Sequence, residues 1–187
     1  MKSISNLRLF VLSLILGVVV ILALAVYDRK PPEPLTGSLT DNIALTEQIH
    51  LNDIPGIKAQ GHATLIALRP DGDEAPDQPD AAQVAEAARN NQMNFAYIPV
   101  PHGDIPDAAV AAFNAATADN PGPILLYCRS GRRVARAWIL AEASRPNGLE
   151  AAAIMSAARR SGQSVEDWST AIEARIAQRP VPGKLKP

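Results

Sequence analysis

Between Leu9 and Tyr27 the chain carries no charged residue, and large apolar side chains from Phe10 through Leu22 occupy every face that a helix there would have. These 19 residues at about 1.5 Å each would cover about 28 Å, close to the thickness of a bilayer's hydrocarbon core. Lys2 and Arg8 stand before the run, and behind it Asp28 partly offsets Arg29 and Lys30. That bias keeps the N-terminus inside and sends the rest of the chain to the exported side. The competing reading is a cleaved signal segment, with a basic n-region, an apolar core and Ala23-Leu24-Ala25 as an A-x-A site. The expectation is a single-pass protein of a bacterial-type inner membrane, held through residues 9–27, with its following domain periplasmic; a cytoplasm-facing domain is the alternative. Residues 1–30 are thus read as anchor or signal segment. Pro31, Pro32 and Pro34 make 31–42 an extended linker, 43–178 forms the folded domain, and 179–187 is a loose Pro/Lys tail.

Beyond the linker, short apolar runs alternate with helical periodicity. Thr64-Leu65-Ile66-Ala67-Leu68 ends at Arg69-Pro70-Asp71-Gly72, a buried strand followed by a loop. Residues 80–91 place Ala81, Ala82, Val84, Ala85 and Ala88 at helical spacing behind Asp80, a good N-cap. Phe95-Ala96-Tyr97-Ile98 reads as a second strand, residues 106–118 as a second helix with proline in its opening turn, and Pro123-Ile124-Leu125-Leu126-Tyr127 as a third strand. A glycine-containing turn from Cys128 to Arg133 then leads into a helix through Val134, Ala137, Trp138 and Ala141. Strands separated by helices predict an α/β fold in three layers, a mainly parallel central sheet flanked by helices. Ligands in such folds sit at the carboxyl ends of the strands, where Cys128 falls.

The 187 residues carry a formal net charge of −1, 47% hydrophobic and 4% aromatic residues, and one cysteine. That excludes a strongly basic nucleic-acid binder, a disulfide scaffold and a thiolate zinc site. Asp71, Asp73, Glu74, Asp77 and Asp80 crowd one loop, but their spacing fits no EF-hand and Pro76 and Pro79 break it, so it reads as a solvated acidic loop. His50, His62 and His102 show no metal-ligand pattern, and no metal or cofactor is implied. Trp138 and Trp168 read as core, and Arg159-Arg160 as a solvated helix face.

The turn Cys128-Arg129-Ser130-Gly131-Arg132-Arg133 holds the candidate chemistry. A cysteine at a strand end facing a helix start meets unpaired N–H groups and the positive end of the dipole, which favour the thiolate nucleophile. Gly131 permits a tight curl of inward amides, and an arginine closing the turn offers a planar fork to a tetrahedral oxyanion. A lone cysteine is also what a small core residue looks like. Its position before a glycine turn and arginines selects the functional reading.

With this turn behind Ile124-Leu125-Leu126-Tyr127, and with Tyr97-Ile98-Pro99-Val100 and Leu68-Arg69-Pro70-Asp71-Gly72 upstream, the chain resembles the cysteine-dependent phosphatase superfamily. It is most similar to the beta-lactamase-hydrolase-like phosphatase domain family, over residues 43–162. The resemblance implies a phosphotyrosine-phosphatase-like fold and a hydrolase resembling protein tyrosine and dual-specificity phosphatases, acting through a Cys128 phosphocysteine. It also implies a general acid on the loop Pro99-Val100-Pro101-His102-Gly103-Asp104, where His102 and Asp104 are the candidates; Asp104 is alternatively an N-cap of the next helix.

The chain departs from the phosphatase pattern in three ways: Tyr127 replaces the histidine before the nucleophile, four residues rather than five separate Cys128 from Arg133, and Val134 replaces the following Ser or Thr. Arg133 is then the closing arginine, and the loop has rhodanese length. A sulfurtransferase working through a Cys128 persulfide is therefore the second reading, with a phosphorylated or a sulfur-donor substrate as partner. A catalytically weak anion- or partner-binding module is the third.

Overall fold

The computed structural model describes residues 2–27, 37–73, 78–120, 122–164 and 166–180. The chain divides into two compact units, Met1–Pro34 and Leu35–Pro187. In the first, helix α1 runs Lys2–Tyr27. Its described side chains are Arg8 and residues 10–21, all exposed. Among the described residues, no helix is long and apolar enough to cross a membrane. The expected transmembrane helix is thus not found among them.

The second unit is built on a five-stranded sheet. Its strands are β1 (Ser38–Thr40), β2 (Ile43–Thr46), β3 (Thr64–Ala67), β4 (Asn94–Tyr97) and β5 (Ile124–Tyr127), in the order β1-β2-β5-β3-β4. The pairings β2–β5, β5–β3 and β3–β4 are parallel, and β1 pairs antiparallel with β2. The sheet is therefore mixed but mainly parallel. Alternation along the strands divides their side chains between two cores. Ile66, Ile124 and Leu126 face one cluster with Cys128, Val134 and Trp138. Leu65, Ala67, Leu125 and Tyr127 face the other, with Ile54 and Ile57 of α2 (Ile54–Ala59) and Val84 and Ala88 of α3 (Ala81–Asn90). Helices thus cover both faces, which a largely parallel sheet requires.

The helices predicted over 80–91 and 106–118 are α3 and α4 (Asp107–Asp119). Asp80 caps α3 as expected: its carboxylate accepts the Gln83 N–H at 2.7 Å, and the Gln83 side chain answers at the Asp80 N–H at 3.0 Å. Helix α5 (Arg132–Ser144) lies almost wholly inside. Val134, Ala135, Ala137, Trp138, Ile139, Leu140, Ala141 and Ala143 are all buried, and α4, α6 (Ala151–Arg160) and α7 (Ser169–Ala177) pack around it. Its alanines let these neighbours approach closely, so the axis of α5 is set from several sides and its first turn is held against the end of β5.

Strand β1 brings residues 38–40 into the sheet, upstream of residue 43. It and β2 are only three and four residues long, too short for a sequence period. Helix α2 carries Pro55 and Gly56, and its six residues are too few to show a helical period. At the far end Arg179 is tied down rather than loose, donating to the carbonyls of Ala143, Gly148 and Glu142 at 2.9, 3.0 and 2.8 Å. There it satisfies carbonyls in and just beyond the last turn of α5. The rest of the tail, 181–187, lies outside the described residues. Trp138 is fully buried, as expected. Trp168 is only partly so, with the Arg136 guanidinium 4.9 Å above its ring.

Candidate active site

The register of the parallel strands ends them level: Thr46 and Ala67 both pair with Tyr127, and Tyr97 pairs with Ala67. The segments that follow β2, β3, β4 and β5 therefore leave the sheet along one edge. Residues distant in sequence meet there: Gln48 after β2, Arg69 and Asp73 after β3, His102 after β4, and Cys128 after β5.

Cys128 is buried, 1% exposed. The turn after it is held to its neighbour by the Gln48 N–H, which donates to the Arg129 carbonyl at 3.3 Å. Gly131 then caps α5 in the left-handed region at φ 77°, and its carbonyl accepts the Ala135 N–H at 3.0 Å. An added Cβ would stand 3.1 Å from Leu45 Cδ1 and 3.1 Å from Gln163 Nε2. Backbone sign and space together require glycine there.

A cavity of about 190 Å³ opens over this turn. Cys128, Arg129, Ser130, Arg132, Arg133 and Arg136 line it from the turn and α5; His102, Gly103 and Ile105 line it from the loop after β4. Four guanidinium groups around so small a space suit an anion. Asp104, the other expected acid, is exposed and does not line the cavity. Nor does it cap the next helix, whose N-cap is Pro106 and whose first-turn acid, Asp107, pairs with Arg175.

Arg133 is 9% exposed. One terminal nitrogen donates to Asp73 Oδ2 at 3.0 Å and the other to the Leu68 carbonyl at 3.3 Å. Two of its five N–H donors are thus engaged by the loop after β3, which fixes the plane of the guanidinium. Arg129 and Arg132 are exposed at the mouth.

Asp73 corrects the solvated-loop reading. Its side chain is 9% exposed and meets three partners: Arg133, Arg69 with Nε at 3.5 Å from Oδ2, and His102 with Nε2 at 3.1 Å from Oδ1. Burial pushes its carboxyl up, but the hydrogen bond and charge of Arg133, with the charges of His102 and Arg69, outweigh that and hold it below the ordinary carboxylate range. Asp71 is also committed, accepting the Ala81 N–H at 2.8 Å, while its own N–H donates to the Tyr97 hydroxyl at 2.9 Å. Glu74 and Asp77 lie outside the described residues. Five acids in ten residues look solvated in a sequence, because the cations that bury Asp73 arrive from 60 residues downstream and from the loop after β4. The one local signal is Arg69, four positions before it and itself 3% exposed. Tyr127, which replaces the expected histidine, points into the core on the other face of the sheet, where burial first, then the Asp71 charge, raises its phenol.

A cysteine-led turn between the central strand of such a sheet and a buried helix defines the cysteine-dependent, phosphatase-like class of enzyme. The solved structures agree. A protein from Neisseria meningitidis Z2491, provisionally assigned as a phosphatase, superposes with TM-score 0.65 at 26% identity, covering 75% of this chain and 97% of that one. The active form of Tk-PTP superposes at 0.61, covering 79% and 99%, and at 14% identity it speaks to the fold alone. The family model described as beta-lactamase hydrolase-like protein, phosphatase-like domain, matches residues 36–145, and the chain belongs to that family. A beta-lactamase hydrolase-like protein of Agrobacterium fabrum is 33% identical over 105 residues, 56% of this chain and 24% of that protein. The chain thus spans about a quarter of the length of such relatives. The resemblance read from the Cys128 turn is borne out.

Proposed function

We propose that the protein is a hydrolase of phosphate monoesters using Cys128 as nucleophile. The observation that carries this is a small cavity lined by Cys128, Arg133 and His102 together. The Cys128 thiolate attacks phosphorus as the bond to the ester oxygen breaks, and His102 gives the leaving oxygen a proton. Water then attacks the phosphocysteine, the P–S bond breaks, and inorganic phosphate and thiolate are released. Arg133 and the amides of the turn hold the equatorial oxygens through both steps. His102 is preferred to Asp104 as the acid because it lines the cavity. Val134 offers no hydroxyl to assist the departing thiolate, so the second step is expected to be slow.

The four-residue spacing from Cys128 to Arg133 supports the sulfurtransferase reading. Assay of the purified full chain on an aryl phosphate, and in parallel on thiosulfate with cyanide, separates the two. Turnover of the phosphate alone is expected, and thiocyanate formation alone would replace the hydrolase with a persulfide enzyme.

The uncharged run 9–27 behind a basic start supports a membrane anchor with the domain on the exported side. After carbonate washing, full-length protein is expected in the membrane pellet, and an alkaline-phosphatase fusion after Pro187 is expected to be active. A soluble form beginning at Val26 would mean a cleaved signal segment instead.

A further inference from the structure

A carboxylate that paired with one arginine would be an ordinary structural contact, but Asp73 divides its two oxygens between the two groups that flank Cys128. Oδ2 accepts Arg133, and Oδ1 faces His102 Nε2 at 3.1 Å. The carboxylate is itself held from behind. Arg69 donates to the Asp73 main-chain carbonyl and, through its other terminal nitrogen, to Gln48 Oε1 at 2.6 Å, so the support reaches the segment that follows β2. Asp73, Arg69 and Arg133 are each nine-tenths buried or more, and their charges are little screened by solvent. The loop after β4 is tied into this network through an imidazole whose side chain is 59% exposed. It is the most exposed member of the network, and Asp73 is an ionic partner within it.

We propose that Asp73 is the positioning residue of the site: it holds the fork of Arg133 and the imidazole of His102 in one arrangement over Cys128, so that oxyanion binding and proton delivery are set by the same carboxylate. This rests on the hydrolase reading above. Asp73 does not touch substrate. Its negative charge fixes the face that Arg133 presents, leaving the donors not taken by Asp73 and the Leu68 carbonyl for the oxyanion.

The test is Asp73→Asn in the full chain, an isosteric change that removes the charge. Affinity for inorganic phosphate, measured by calorimetry, reports on Arg133. Hydrolysis of two aryl phosphates, one with a good and one with a poor leaving group, reports on His102. Asp73→Asn is expected to weaken phosphate about tenfold and to slow the poor leaving group about tenfold more than the good one, because only the poor one needs its proton in the transition state. In a His102→Asn background the extra loss on the poor leaving group should disappear. Asp73→Glu, which keeps the charge, should recover part of both effects and serves if the asparagine variant does not fold. Unchanged phosphate affinity, or equal losses on the two esters, would overturn the proposal. If the wild-type chain hydrolyses neither ester, the hydrolase reading fails, and the phosphate affinities of the two variants alone decide whether Asp73 positions Arg133.

Discussion

Cys128→Ser is expected to reduce turnover of an aryl phosphate by roughly 10³-fold or more, while phosphate affinity changes little. The two halves of this result come from different parts of the site. A serine hydroxyl remains protonated where a cysteine can supply a thiolate, so the covalent step is lost. Anion binding depends on the turn and on Arg133, which the substitution leaves in place. Cys128 is buried against Val134 and its apolar neighbours, so adding a hydroxyl there costs about 1 to 3 kcal/mol of stability unless it finds a partner. A melting measurement on the variant accounts for that loss separately. Retention of more than a small fraction of the rate would remove Cys128 from the chemistry and leave the anion-binding module as the reading.

The second large effect is expected at Arg133. Arg133→Lys keeps the charge but loses the planar fork, and should cost about 2 to 3 kcal/mol in phosphate binding or transition-state stabilisation. The reason is geometric. Arg133 serves Asp73 and the Leu68 carbonyl with two donors and must still present others to the cavity; a lysine ammonium, with three donors on one atom, cannot face all of these directions. Arg132→Lys should cost far less, because Arg132 is exposed at the mouth and only its charge acts on the anion. Equal losses at the two positions, by affinity or by rate, would show that the turn is not closed by Arg133.

The α/β alternation, the cap at Asp80, the strand ending at Tyr127 and the turn that follows it were all legible from one residue to the next. Each depends on interactions within a few positions: the period of apolar side chains, a carboxylate reaching an N–H three residues on, a glycine that alone accepts a positive φ. The short strands β1 and β2 were not, since three or four residues hold no period and become strands only through pairing with β5 and with each other.

The same division runs through the site. Cys128 and Arg133 belong to one turn, and their spacing along the chain already implies that both face one anion. Between His102 and Asp104 the sequence could not decide, because both lie on the same loop; the direction in which that loop leaves β4 brings His102 to the cavity and leaves Asp104 in solvent. Asp73 carries the lesson furthest. Locally it is one acid among five, and charge density argues that it is hydrated. Its burial follows from the register of three parallel strands, which ends β3, β4 and β5 level and so delivers Arg133 and His102 to its two oxygens. Local interactions therefore determined which residues could do chemistry, while tertiary contacts decided which of them are held together, because desolvation and ion pairing depend on distance in space.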